Sequence, residues 1–114
     1  MNTSSGAGVK GFAGQATYAA AKHGVIGLTR TAALELADTG VRVNAICPGT
    51  ARSRMVNEWI GDDPALEKQV VDLHPIGRIA EPEEIAAAAI WLCSPESSFV
   101  LGHALTIDGG YSIQ

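Results

Sequence analysis

The arrangement of this chain is constrained above all by two helical runs, each followed by a short strand-like run. From about Thr17 to Asp38, Ala21, Val25, Leu28, Ala32 and Leu36 recur at three- and four-residue steps, as on one face of an amphipathic helix. Gly40 stands where a C-terminal cap is expected, and Val41 to Ile46 then has the β-branched content of a short buried strand ended by Pro48-Gly49. Pro82-Glu83-Glu84 opens a second helix, with proline at its start and acids in the first turn, and IAAAAIWLC carries it to about Cys93. After SPESSFVLG, the segment HALTID from His103 reads as a second strand closed by Asp108-Gly109-Gly110.

Two less regular stretches complete the chain. The opening NTSSGAGVKGFAGQ is rich in Gly and Ser, has no period, and reads as a loop. Residues 50–75 mix short apolar pieces with Gly61, Asp62, Asp63 and Pro64, which predicts one or two short helices in a long excursion of the kind that often carries function. No repeat or linker divides the sequence, so residues 1–114 read as a single domain.

Helices alternating with strands predict an α/β fold in which helices cover parallel strands. Two strands make a small sheet for that architecture, so the chain reads as part of a larger layered fold. Composition places it among soluble proteins: 46% of residues are hydrophobic, 18% are charged, and no apolar run approaches the roughly 20 residues that span a bilayer. No membrane association is expected. The start MNTSSGAGVKG lacks the pattern of a secretory signal, which predicts a cytoplasmic location.

A net charge of -4 with scattered Lys and Arg argues against a nucleic-acid partner, which would call for clustered basic residues. Cys47 and Cys93 lie in apolar sequence without zinc-ligand spacing and read as buried small hydrophobes. His23, His74 and His103 are too dispersed for a metal site and read as solvent or packing histidines. Trp59 and Trp91 read as packing aromatics, with Trp59 also a candidate pocket wall.

One polar pair could carry chemistry. In TYAAAKH, Tyr18 and Lys22 are four residues apart, which puts them on the same helix face. Alone such a pair is an ordinary surface pair. A phenol with a reference pKa near 10 is a poor base, but a neighbouring ammonium favours its phenolate.

Taken together and in order, NTSSGAG, YAAAK, VRVNAICPGTARSRM and LTIDGG resemble the C-terminal half of the short-chain dehydrogenase/reductase family, the NAD(P)-dependent Rossmann oxidoreductases, over essentially the whole chain. The resemblance implies a partial Rossmann-like doubly wound parallel sheet of about two strands plus covering helices, with Met1 and Asn2 where the family's fifth strand would be ending. It implies Tyr18 as general acid/base and Lys22 as the group that tunes it and holds the nicotinamide ribose. The active-site serine falls on Ser5, thirteen residues before Tyr18, with Ser4 the weaker candidate. Pro48, Gly49 and Ala51 match the turn that passes along the nicotinamide, and Ser53 stands where the family usually has a threonine near the carboxamide.

The sequence also departs from the family. It contains no TGxxxGxG turn to hold a pyrophosphate, no strand-end residue to select NAD or NADP, and no Asn-Asn-Ala-Gly segment, so the N-terminal cofactor-binding half is expected to be absent. The expected function is interconversion of a small-molecule secondary alcohol and a carbonyl by hydride transfer with NAD or NADP, in a homo-oligomer. These 114 residues are expected to be inactive on their own, and the alternative is a truncated, non-catalytic remnant that acts only through association. A serine-lysine hydrolase on Ser5 and Lys22 would lack the short Ser-x-x-Lys spacing of known examples.

Overall fold

The structure, a computed structural model, describes residues 1–114. Its centre is a three-stranded parallel sheet in the order β1-β2-β3, formed by Asn2–Thr3, Ala45–Pro48 and Ala104–Ile107. Asn2 and Thr3 pair with Ala45 and Ile46, and β2 continues against β3 from Ala45↔Ala104 to Pro48↔Ile107. The middle strand is the most deeply buried, with Ala45 and Cys47 fully covered, as expected where strands are enclosed on both faces.

Helix α1 (Ala16–Glu35) follows a 3-10 turn at Gly6–Gly8. The excursion after β2 forms α2 (Arg54–Ile60) and α3 (Pro64–Asp72), and α4 (Pro82–Cys93) leads through another 3-10 turn into β3. No helix is long and apolar enough to cross a membrane.

The α/β class, both short helices of the excursion and the bounds of α4 agree with the sequence reading. Local chemistry explains the agreement. Asp63 accepts hydrogen bonds from the Ala65 and Leu66 amides and Pro64 occupies the first turn of α3. At α4, the Glu84 carboxylate reaches back to accept from the Glu81 amide at 2.8 Å, and Pro82 occupies the first turn. The excursion also has its own apolar cluster, in which Ile60, Val70 and Ile79 are buried with Val56, Leu66 and Val71 against them.

Other expectations are corrected. The sheet has three strands because Asn2–Thr3, a loop by composition but close to where the resemblance places the end of a strand, finds a ladder partner in β2. The second strand begins at Ala45 and not Val41, since the residues before it are committed elsewhere. Arg42 donates to the Leu92 and Ser94 carbonyls at 3.0 and 2.9 Å, and Asn44 bridges the Val100 carbonyl and the His103 amide at 2.8 and 2.9 Å. Helix α1 ends at Glu35, and Gly40 lies in the turn beyond it at φ +81.

The buried face of α1 is also rotated by about one residue from the predicted stripe. Ile26, Thr29 and Ala33 are buried, whereas Leu28 is 63% exposed. Cys47 is buried as expected, but Cys93 is exposed at the end of α4, and both tryptophans are exposed and not packed in a core.

Candidate active site

Seven of the residues singled out by sequence meet at one place. Ser5, Tyr18, Pro48, Gly49, Ala51 and Ser53 line a single cavity of about 1000 Å³, and Lys22 stands behind Tyr18 with its Nζ 5.7 Å from the centre of the phenol ring. Lys22 itself is outside the lining. Its ammonium donates to the Thr3 carbonyl at 3.2 Å, which ties the first turns of α1 to β1.

The two serines divide the work of the opening loop. Ser4 is buried and donates to the Lys22 carbonyl at 2.8 Å, a bond that leaves it no part in the cavity. Ser5 caps the 3-10 turn by accepting from the Ala7 amide at 3.2 Å. A capping serine lends a lone pair and keeps its own O–H to donate. The same holds for Ser53, which caps α2 by accepting from the Val56 amide at 3.2 Å.

Glycine is required where the loop meets the helix. A Cβ at Gly8 would lie 2.9 Å from the Lys22 carbonyl oxygen, and one at Gly49 would lie 2.9 Å from both the Asp108 Cα and His74 Nε2. These close approaches hold the loop before α1, the turn after β2 and the turn after β3 against one another.

Two cavity residues had no functional place in the sequence reading. His74 is 4% exposed and lines the floor; its Nε2 accepts from the Thr50 amide at 3.1 Å, which leaves Nδ1 to donate to the Val70 carbonyl at 2.9 Å. It is a packing histidine, as expected, but one that pins the turn after β2. Tyr111 is buried against Gly6 and lines the same cavity; desolvation, with Asp108 nearby, pushes its phenol above the usual range. Both partnerships join residues far apart in sequence, so no local signal announced them.

Most of the remaining lining is apolar, including Phe12, Met55, Val56, Trp59, Leu73 and Ile85, with Thr3, Gln15 and Thr50 as its polar side chains. The lining contains no Asp, Glu, Lys or Arg.

The chain is similar to known proteins over almost its whole length. Residues 1–112 match the family model described as "Enoyl-(Acyl carrier protein) reductase". The chain belongs to the short-chain dehydrogenase/reductase family. It is 48% identical over 113 residues to the A-factor type gamma-butyrolactone 1'-reductase (1S-forming) of Streptomyces virginiae, covering 99% of this chain and 44% of that one. It is 46% identical over 112 residues to the 2,5-dichloro-2,5-cyclohexadiene-1,4-diol dehydrogenase of Sphingobium indicum, covering 98% of this chain and 45% of that one. Among solved structures, ElxO with NADP bound is similar at a TM-score of 0.93 and 35% identity, covering 99% of this chain and 46% of that one. The chain thus spans a little under half the length of these short-chain dehydrogenase/reductase relatives, and its three parallel strands and four helices are part of their Rossmann fold.

The cavity's donor set fits the nicotinamide and ribose end of the dinucleotide such a family member carries. Ser53 lines the cavity and retains an O–H, and Lys22, behind Tyr18, retains N–H groups beyond the one given to Thr3.

Proposed function

We propose that this chain supplies the substrate side and the proton-transfer group of an NAD- or NADP-dependent oxidoreductase that interconverts a secondary alcohol and a carbonyl. The observation that carries the reading is the convergence of Ser5 and Tyr18 on one cavity, with the Lys22 ammonium behind the phenol ring. Tyr18 takes the carbinol proton in oxidation and returns it in reduction. Lys22 steadies the phenolate form through its charge. The free O–H of Ser5 donates to the substrate oxygen and holds it beside Tyr18. The bound nicotinamide would accept or give the hydride, held by Tyr18, Lys22, Pro48, Gly49, Ala51 and Ser53.

The uncharged lining favours a neutral alcohol or ketone, because a carboxylate or phosphate would lose its hydration there without a countercharge. Relatives acting on a cyclohexadiene diol and a butyrolactone accord with that preference. The exposed apolar side chains of Leu28, Leu34, Ile90 and Phe99 favour a homo-oligomer, to be checked by light scattering of the purified chain.

The decisive experiment is titration with NADH and NADPH, followed by turnover of cyclic secondary alcohols with the oxidised cofactor that binds. Binding of one nucleotide is the expected outcome, and where turnover accompanies it Tyr18→Phe should lower kcat by about a hundredfold or more. No fluorescence change and no thermal shift with either nucleotide would favour the alternative, a chain that acts only through association.

A further inference from the structure

The Ser5 turn is supported from beneath by a residue from the other end of the sequence. A Cβ added to Gly6 would lie 2.9 Å from Tyr111 Cδ1, so the ring sits directly against the backbone next to Ser5. Phe12 and His74 border the same ring, each with centroids 5.9 Å from it. Lys10, two residues past the turn, places its Nζ 5.1 Å from the ring centre and donates to the Tyr111 and Gln114 backbone oxygens at 3.3 and 2.8 Å.

Tyr111 is in turn held by its own loop. Asp108 accepts from the Gly110 and Ser112 amides at 3.0 and 2.9 Å, and the Asp108 carbonyl accepts from the Tyr111 amide at 3.1 Å. Gly110 makes the bend at φ +88, a conformation that side-chain-bearing residues rarely adopt. The Ser5 turn has four short-range bonds: the Ala7 amide to Ser5 Oγ at 3.2 Å, the Gly8 amide to the Ser5 carbonyl at 2.8 Å, and the Val9 and Lys10 amides to the Gly6 carbonyl, both at 3.2 Å. These bonds set the turn's own shape, and a flat ring clamped on several sides fixes where that turn stands.

We propose that Tyr111 is a positioning residue for Ser5: its ring, set against Gly6 and clamped by Lys10, Phe12 and His74, fixes the turn that presents the Ser5 hydroxyl to the cavity. The proposal rests on the role given to Ser5 above. The ring and not the hydroxyl performs the task, since the ring carbons Cδ1 and Cε1 are the atoms that face Gly6. Burial keeps that phenol neutral well into alkaline pH, so Tyr111 does not compete with Tyr18 for the proton.

The test uses the full chain with four variants: Tyr111→Leu, Tyr111→Phe, Gly6→Ala and the double variant Gly6→Ala/Tyr111→Leu. Amide exchange is read first, because it needs no activity. Tyr111→Leu should speed exchange at Ala7 and Gly8 by about tenfold or more while the Ala45 amide in β2 stays protected, and Tyr111→Phe should restore protection. Gly6→Ala pushes the turn from the opposite side and should loosen it in the same way. The smaller leucine makes room for the added methyl, so the double variant should be less perturbed than the two single effects combined.

With an alcohol that the wild-type chain oxidises, Tyr111→Leu should lower kcat by about tenfold with KM within about twofold, and Tyr111→Phe should recover it. Unchanged exchange at Ala7 and Gly8 in Tyr111→Leu, or a raised KM with kcat intact, would overturn the proposal in favour of a plain pocket wall. A wild-type chain that binds neither nucleotide removes the oxidoreductase reading, whereas the exchange measurements still decide whether Tyr111 sets the turn.

Discussion

Helix α1 and the α2–α3 excursion face the same cavity but are held by different forces. The excursion buries an apolar cluster of its own, Ile60, Val70 and Ile79, and each of its helices begins with a side-chain cap. Helix α1 buries only Ile26, Thr29 and Ala33, and Leu34 is 79% exposed. What holds α1 near the site is a set of hydrogen bonds to residues 2–4: Asn2 to Thr29, Ser4 to the Lys22 carbonyl, and Lys22 to the Thr3 carbonyl. The substrate wall is therefore stabilised by burial, and the Tyr18–Lys22 helix is located by polar contacts. Burial tolerates small displacements of its members, whereas hydrogen bonds enforce distance and angle, which suits a helix that carries the residue proposed for proton transfer.

This division can be broken most visibly in the excursion. Ile79→Ala should cost about 3 kcal/mol, seen as a lower urea midpoint, with amide exchange quickening first in α2 and α3. An equal quickening throughout α1 would mean the two regions share one core. Ser4→Ala should cost about 1.5 kcal/mol by leaving α1 without its bond at Lys22, and the loosening should appear in the first turns of α1 with α3 unaffected. Asp63→Ala should cost about 1 kcal/mol, confined to α3, because two amides lose their cap.

Smaller effects come from pH. Burial raises the Cys47 thiol and the Tyr111 phenol, so the folded state holds their protons more tightly than the unfolded chain does. Their contribution is complete below the unfolded values, near 8.5 and 10, and is lost as pH rises through the higher folded values. A thermal melt series should show destabilisation setting in above about pH 9. Glu84 behaves in the opposite sense. The Arg78 guanidinium, with the Glu81 amide, lowers its carboxyl to about 2, so its contribution is present above the unfolded carboxylate value and fades as pH falls toward 2. Since Glu84 is exposed, Glu84→Gln should change the acid limb of the melt series only slightly.

Legibility in the sequence followed the range of the forces. The caps at Asp63-Pro64 and Pro82-Glu83-Glu84 act over three or four residues, and those helices appear where their signals lie. The Tyr18–Lys22 spacing is likewise local to one helix, and the serine, the turn after β2 and Ser53 were found through a familiar order of motifs. What stayed hidden depends on distant partners. Asn2–Thr3 becomes a strand only beside Ala45–Ile46, the buried face of α1 is chosen by what packs on it, and Cys93 is exposed despite its apolar neighbours. His74 and Tyr111 acquire their places by touching Thr50 and Gly6, contacts that leave no periodic trace in the chain.

The bond from Lys22 to Thr3 has a consequence for how molecules of this chain behave in a crowd. Asn2 and Ser4 direct their amides toward β2, so the peptide groups of Thr3 between them face the open side of β1. Open strand edges invite further strands and can seed aggregation. Here an ammonium occupies the Thr3 carbonyl, and an incoming strand would have to displace a charged donor to complete its ladder. Lys22 thus serves two neighbours at once, the phenol ring of Tyr18 and the unpaired side of β1.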